Sequence, residues 1–344
     1  MKALVLEAYN HLVYRDVPEP ALGAQEVLVR VQACGICGSD VHGMDGSTGR
    51  RVPPIIMGHE AAGVIAAMGE QVSGWQVGER VTFDSTIYCG SCYFCRRGLV
   101  NLCDQRRVLG VSPGDYRQHG AFAEYVAVPQ HILYRLPDEV SFVQAALVEP
   151  LAIALHGVRR LPVGPDDCAL VIGTGTIGLS AVQALRVAGC RLIIGVDTIP
   201  SRLALARRLG ADVTLHAHDD DVLAEVLRLT EGRGADLAVD ACGYTETVGM
   251  AVAGLRKGGS LTIIGSYAPR IELELQSVVY RQLSLNGSAA CCGEYADCLE
   301  LMARRAVHTE CLVSAVAPLS EGAHWFERLY RGDPDLIKVV LTPP

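Results

Sequence analysis

Cys168-Ala-Leu-Val-Ile-Gly-Thr-Gly-Thr-Ile-Gly178, running on to Asp197, is the stretch whose reading decides the fold. Cys168 to Ile172 is a short apolar run with the length and composition of a buried parallel strand. Gly173, Thr174, Gly175, Thr176, Ile177 and Gly178 then spell G-x-G-x-x-G, and Ile177, Leu179, Val182, Leu185 and Val187 follow at helical spacing. Strand, glycine turn and helix together are the context in which this motif cradles a dinucleotide. Gly173 permits the tight turn, Gly175 lets backbone approach a pyrophosphate at the positive helix end, and Gly178 lets helix and strand pack closely. A second strand, Leu192 to Val196, ends at Asp197, nineteen residues after Gly178, where a carboxylate would bind the adenosine ribose hydroxyls. The alternative is a strand-to-helix turn with no ligand, and the spacing to Asp197 argues against it. A carboxylate also repels a 2′-phosphate, so NAD is expected rather than NADP. Arg202 is close enough in sequence to meet a phosphate, but beside Asp197 it reads as the first turn of the next helix. The candidate cofactor residues are Gly173, Gly175, Thr176, Ile177, Gly178 and Asp197, with Arg202 as the alternative phosphate contact.

The totals narrow the field. A chain of 344 residues suggests about two domains, and half of its residues are hydrophobic, enough for substantial cores. The formal charge of −8 is the wrong sign for a nucleic-acid surface. Residues 168–185 carry no charge over eighteen positions, but their glycines, threonines, serine and glutamine follow nucleotide-turn order, so a membrane span is rejected. Met1-Lys-Ala-Leu-Val-Leu-Glu7 reads as a first strand rather than a secretory signal. The 13 cysteines are then expected to be thiols and metal ligands in a cytoplasmic protein.

Residues 1–150 look mostly β. Glu26 to Ala33 alternates, with Val27, Val29 and Val31 on one face. Cys89-Gly-Ser-Cys92-Tyr-Phe-Cys95 followed by Cys103 places four thiols within fifteen residues, enough to close a tetrahedral shell around one structural zinc. Four unliganded thiols, a redox pair and a zinc ribbon are the competing readings. The redox pair needs only two cysteines at a helix start, and the ribbon lacks a basic helix. A more dispersed set, Cys37, His59, Glu60 and Glu149, has the donor types of a catalytic zinc, which takes about three protein ligands and keeps one position open. Spacing alone leaves it open whether these are ligands or ordinary core residues.

Taken together, the motifs resemble those of zinc-dependent medium-chain alcohol dehydrogenases, in the polyol (sorbitol- or L-iditol-type, also galactitol-1-phosphate-type) branch. They are Cys34-Gly-Ile-Cys37-Gly-Ser39-Asp40-Val-His42, Gly58-His59-Glu60-Ala-Ala-Gly63, the four-cysteine lobe, Val148-Glu149-Pro150-Leu151, the glycine turn, and Gly258-Gly259 before an apolar strand. The resemblance implies an α/β protein: a GroES-like, mostly-β catalytic domain over 1–153 and 292–344, with a doubly wound parallel Rossmann domain over 154–291. In that insert, apolar strands ending near Val196, Leu215, Asp240 and Gly265 alternate with helices, which supports a parallel sheet independently. A last strand, Ile337 to Leu341, would return to the first domain.

The implied reaction is reversible oxidation of a secondary alcohol, with hydride passing to NAD. In the family, Cys37 and His59 match zinc ligands, and Glu60 and Glu149 each match a residue that ligates zinc or holds its water. Ser39 matches the hydroxyl that relays the alcohol proton, and His42 either continues the relay or contacts the cofactor phosphates. Asp40 is expected to be a hydrogen-bond acceptor. Gly287-Ser-Ala-Ala-Cys-Cys292 stands where the sorbitol pattern has Phe-Arg-Tyr, so a substrate-contacting arginine is missing. Arg50 and Arg51 would then either read an anionic end of a sugar acid or sugar-alcohol phosphate, or form a solvated loop face. Cys34, Cys168, Cys190, Cys242, Cys291, Cys292, Cys298 and Cys311 read as small core residues. The expected partners are a small alcohol or polyol and further copies of the chain, as a dimer or tetramer. The alternatives are a vicinal-diol (2,3-butanediol-type) or threonine-type dehydrogenase, the latter opposed by Glu149, and a non-catalytic nucleotide-binding protein.

Overall fold

The structure, a computed structural model, describes residues 1–113 and 116–344. The chain divides into two compact units. One comprises Met1–Glu149, Tyr295–Arg305 and Thr309–Pro344, and the other Pro150–Glu294 with Ala306–His308.

The second unit carries a six-stranded, all-parallel sheet. Cys168–Ile172, buried throughout, lies between Leu192–Asp197 and Ala235–Asp240. Val213–His216 forms one edge, and Leu255–Ile263 followed by Ser284–Gly287 completes the other side. The chain starts in the middle, winds one way, then returns and winds the other, so strand order reverses beside the first strand, at the glycine turn. Helices Thr176–Val187, Pro200–Arg208, Val222–Leu229 and Thr245–Gly254 supply the crossovers. Val171, Ile194, Ala238 and Leu261 are buried to completion, as a sheet covered on both faces requires. The sequence placed Gly258 and Gly259 before their strand. They lie within it instead, because the strand begins at Leu255 and its register slips against Ala235–Asp240 near this point.

The first unit is built on antiparallel strands. Glu26–Gly35 is its spine, paired with Glu60–Met68 and Tyr125–Pro129. Lys338–Thr342 also pairs with it, at Gly35 and Cys34, and is itself parallel to Val313–Pro318. The C-terminal strand thus sits beside the spine in the same sheet as the N-terminal half. Val27, Val29 and Val31 are all buried, and Phe83, Phe122 and Phe326 are among the largest fully buried side chains. A two-stranded ribbon, Thr86–Ile87 with Arg107–Val108, brackets the cysteine lobe. Among the described residues no helix is long and apolar enough to cross a membrane.

Candidate active site and metal centres

Two strand ends in the first unit bring the candidate site together. Glu26–Gly35 ends just before Cys37, which caps the short helix Gly38–Val41 and accepts the Ser39 N–H. Glu60 opens the neighbouring strand and lies opposite Gly35. His59 immediately precedes it. The Cys37 thiol, a His59 ring nitrogen and a Glu60 carboxylate oxygen lie within 4.8 Å of one another, close enough to hold one metal ion. Soft sulfur, imidazole and carboxylate are zinc donors.

His59 and Glu60 are buried, and the groups behind them are ionic. Asp40, fully buried, faces His59 Nδ1 with Oδ2 at 3.4 Å and accepts Arg51 Nη2 on Oδ1 at 2.8 Å. Burial alone would raise the Asp40 carboxyl, but His59 and Arg51 outweigh it and hold it well below the ordinary carboxylate range. Burial likewise lowers His59, yet Asp40 and Cys37 carry it well above its usual value. With Nδ1 turned to a carboxylate, Nε2 is the nitrogen left for a metal. The solvated-face expectation is not met for Arg51. It is buried, at 3% exposure, against Asp40 and Ser39, because its side chain passes over Gly43 into the space a Cβ there would fill. Arg50 is exposed.

Ser39 Oγ donates to Cys37 Sγ at 3.3 Å and accepts from Arg51 Nη2 at 3.1 Å. His42 lies exposed at the C-terminal end of the same short helix. Glu149 sits in the first turn of Val148–Arg159 and is not among the three closely grouped ligand atoms. Burial pushes its carboxyl up to about 7, with the charges of Glu60 and Asp84 adding to the rise and those of His59 and Lys338 opposing it. Lys338 was missed in the sequence. Its only signal there is one cation heading an otherwise apolar terminal strand.

The four-cysteine lobe forms a second centre. The sulfurs of Cys89, Cys92, Cys95 and Cys103 lie within 4.8 Å of one another. Peptide N–H groups aim at them: Cys92 at Cys89 Sγ (3.4 Å), Cys95 at Cys92 Sγ (3.5 Å), and Cys89 and Gln105 at Cys103 Sγ (both 3.3 Å). Amide donors stabilise thiolates, and the Ser91 N–H heads the causes that bring Cys89 down to about 6. A closed set of four sulfurs has the donors of a structural zinc site.

In the second unit Gly173 adopts φ +83°, and a Cβ there would strike Cys242 Sγ. A Cβ on Gly178 would collide with the Gly173 carbonyl, so turn and helix touch through backbone. Gly175 differs. Its φ of −74° suits any residue, and apart from its chain neighbours no described residue lies within 4 Å of a Cβ built on it. Neither conformation nor packing demands glycine there, whereas a close ligand would. Gly175 also caps the helix that Thr176, Ile177 and Gly178 open, without a side-chain hydrogen bond, which suits an anion. Asp197 ends its strand, with Oδ2 accepting the Thr174 N–H at 2.6 Å and Oδ1 the N–H groups of Thr198 and Ile199. Arg202 lies in the first turn of Pro200–Arg208.

Residues 23–138 match the alcohol dehydrogenase GroES-like domain and residues 176–304 the zinc-binding dehydrogenase domain. The chain belongs to the zinc-binding alcohol dehydrogenase family. It is 33% identical to a sorbitol dehydrogenase of Bacillus subtilis (strain 168) over 347 residues, covering all of this chain and 97% of the relative. Among solved structures it resembles a zinc-binding dehydrogenase of Sinorhizobium meliloti 1021 bound to NADP (31% identity, 99% of each chain, TM-score 0.91). It also resembles an alcohol dehydrogenase of E. coli CFT073 complexed with NADH (30% identity, 99% of each chain, TM-score 0.91). As a family member, this dehydrogenase acts on a small alcohol with a nicotinamide cofactor.

Proposed function

We propose that this dehydrogenase oxidises a secondary alcohol of a polyol, or of a sugar acid or sugar-alcohol phosphate, using NAD and two zinc ions, one catalytic and one structural. The first unit is the catalytic one and the second binds the cofactor. The observation that carries this reading is the grouping of Cys37, His59 and Glu60 with Asp40 behind the imidazole, a carboxylate–histidine–zinc arrangement.

When bound, zinc supplies Lewis acidity that eases loss of the alcohol proton, and the nicotinamide takes the hydride. Cys37 and His59 hold the ion, with a carboxylate from Glu60 or Glu149. Asp40 fixes the His59 tautomer, and Arg51 fixes Asp40. Ser39 takes the alcohol proton, and His42 passes it on. Cys89, Cys92, Cys95 and Cys103 hold the structural ion. Gly173, Gly175, Thr176, Ile177 and Gly178 bind the pyrophosphate, and Asp197 the adenosine ribose. Both nicotinamide cofactors occur among the structural relatives, so the preference for NAD rests on Asp197, which leaves no room for a 2′-phosphate's charge.

Two supramolecular features complete the reading. Leu275, Val279 and Tyr280, at 66%, 59% and 79% exposure, stand on a helix just before the sheet-edge strand Ser284–Gly287, and a second copy of the chain would cover them in a dimer or tetramer. The 13 cysteines form no disulfide, which favours the reducing cytoplasm.

The test is NAD reduction across pentitols, hexitols, their phosphates, sugar acids, 2,3-butanediol and threonine, with and without a chelator. Chelator-sensitive turnover of one polyol group is expected. Turnover of butanediol alone would move the assignment to the vicinal-diol branch. No turnover, with zinc and NAD shown to be bound, would favour a non-catalytic nucleotide-binding protein.

A further inference from the structure

Both carboxylate oxygens of Asp197 are already engaged within the second unit. Oδ1 accepts the N–H groups of Thr198 at 2.8 Å and Ile199 at 3.0 Å. Oδ2 accepts the Thr174 N–H at 2.6 Å and the Thr174 hydroxyl at 3.1 Å. A carboxylate offers about four lone-pair sites, so these donors fill it. Three of them are peptide N–H groups, fixed by the glycine turn and by the entry into Pro200–Arg208, which Ile199 caps. The remaining one, the Thr174 hydroxyl, is free to rotate and makes the longest of the four bonds.

Exposure separates the two side chains. Asp197 keeps 8% exposure, whereas Thr174 is fully buried, with its methyl group 3.3 Å from where a Cβ on Gly195 would stand. A ligand arriving from outside therefore meets the carboxylate and not the hydroxyl. Tying the glycine turn to Asp197 does not require that hydroxyl, because the Thr174 N–H does so through the shorter bond. The hydroxyl instead supplies a second donor to an oxygen that would be costly to leave short of one in a buried site. A ribose hydroxyl donating to Asp197 would supply the same kind of bond.

We propose that the Thr174 hydroxyl is a placeholder for the adenosine ribose: it satisfies Asp197 Oδ2 while the cofactor is absent and gives way to a ribose hydroxyl when the cofactor binds. Thr174 is then a positioning residue that acts through Asp197 and sets how tightly the adenosine end is held. The proposal rests on the ribose role of Asp197 proposed above.

The experiment is calorimetric titration of the full-length protein with NAD, AMP and the 2′-deoxy and 3′-deoxy forms of AMP. Denaturant unfolding of the cofactor-free protein is measured alongside. Thr174→Val keeps the shape and removes the competing donor. It is expected to bind NAD and AMP about 10-fold more tightly, the worth of one hydrogen bond to a charged acceptor, and to unfold more readily without cofactor. At least one deoxy form should gain nothing, because it lacks the hydroxyl that takes over the bond. Thr174→Ser, which keeps the donor, should bind AMP within about threefold of the unaltered protein. A purely structural threonine would give a less stable Thr174→Val with unchanged or weaker AMP binding, and that result overturns the proposal. An equal gain for AMP and both deoxy forms overturns it as well. If Thr174→Val does not fold, Thr174→Ala decides by the same readings. Asp197→Asn tests the ribose role separately and should erase the preference for AMP over its deoxy forms. Retention of that preference would overturn the ribose assignment, and this proposal with it.

Discussion

Asp40 Oδ2 stands 3.4 Å from His59 Nδ1, with both groups buried, so Nε2 would be the imidazole nitrogen left for a metal. Asp40→Asn keeps the shape but removes the charge. The expected result is a loss of about 10- to 100-fold in catalytic zinc affinity or activity, with the structural zinc retained. Metal analysis after dialysis against a weak chelator measures it. Two zinc ions per chain after that dialysis would show that Asp40 does not support the ligand.

Arg51 neutralises the other Asp40 oxygen from a fully packed position. Arg51→Met leaves a buried carboxylate uncompensated, which typically costs about 3–5 kcal/mol. Denaturant unfolding should show the loss. Because Arg51 is buried, Arg51→Lys should not change the ratio of kcat/KM between a polyol and its phosphate. A selective loss of the phosphate would restore Arg51 as an anion reader.

The two zinc centres should fail differently. Cys37→Ser should abolish turnover with little change in the thermal unfolding midpoint. Cys95→Ser should lower that midpoint or impair assembly, because a closed four-sulfur site contributes folding energy rather than chemistry. Equal stability losses in both variants would contradict the division of roles.

The glycines separate ligand effects from folding effects. Gly175→Ala has room in the protein and should fold normally while raising the KM for NAD by at least about 10-fold. Gly178→Ala forces the helix away from the Gly173 carbonyl and should lower stability as well as NAD binding. Thermal unfolding with and without NAD distinguishes the two.

His156 Nδ1 lies 2.8 Å from Glu294 Oε1 within the second unit. Burial would raise the Glu294 carboxyl, but the hydrogen bonds from His156 and the Cys292 N–H bring it below its ordinary 4.5. A carboxyl depressed in the folded state adds stability above its unfolded pKa and loses it as pH falls through the folded value. Stability measured between about pH 3 and 6 should therefore fall on the acid side, and His156→Ala should shift that fall to higher pH. An unchanged acid limb in His156→Ala would remove the pair from the account.

Much of the second unit was legible because its signals are local. An apolar strand, a glycine turn and a helical period are each specified by neighbours in the chain, and Asp197 follows at the distance one helix and one strand require. The four-cysteine lobe was legible for the same reason. Cys37, His59 and Glu60 were nameable together with Glu149 from donor chemistry and resemblance, but which three of the four lie close together was not.

Nearby residues thus specify the apolar strands and the glycine turn, and name the side chains chemically able to hold metal. Only the tertiary structure decided their company. It buried Arg51 against Asp40, turned Asp40 to His59, left Glu149 apart from the three grouped ligands, and set Lys338 on Glu60 from 278 positions away. The physical reason is that these are charge pairings across strands. Their energies depend on burial and on distances of a few ångströms between residues remote in sequence, and neither spacing nor periodicity encodes either quantity.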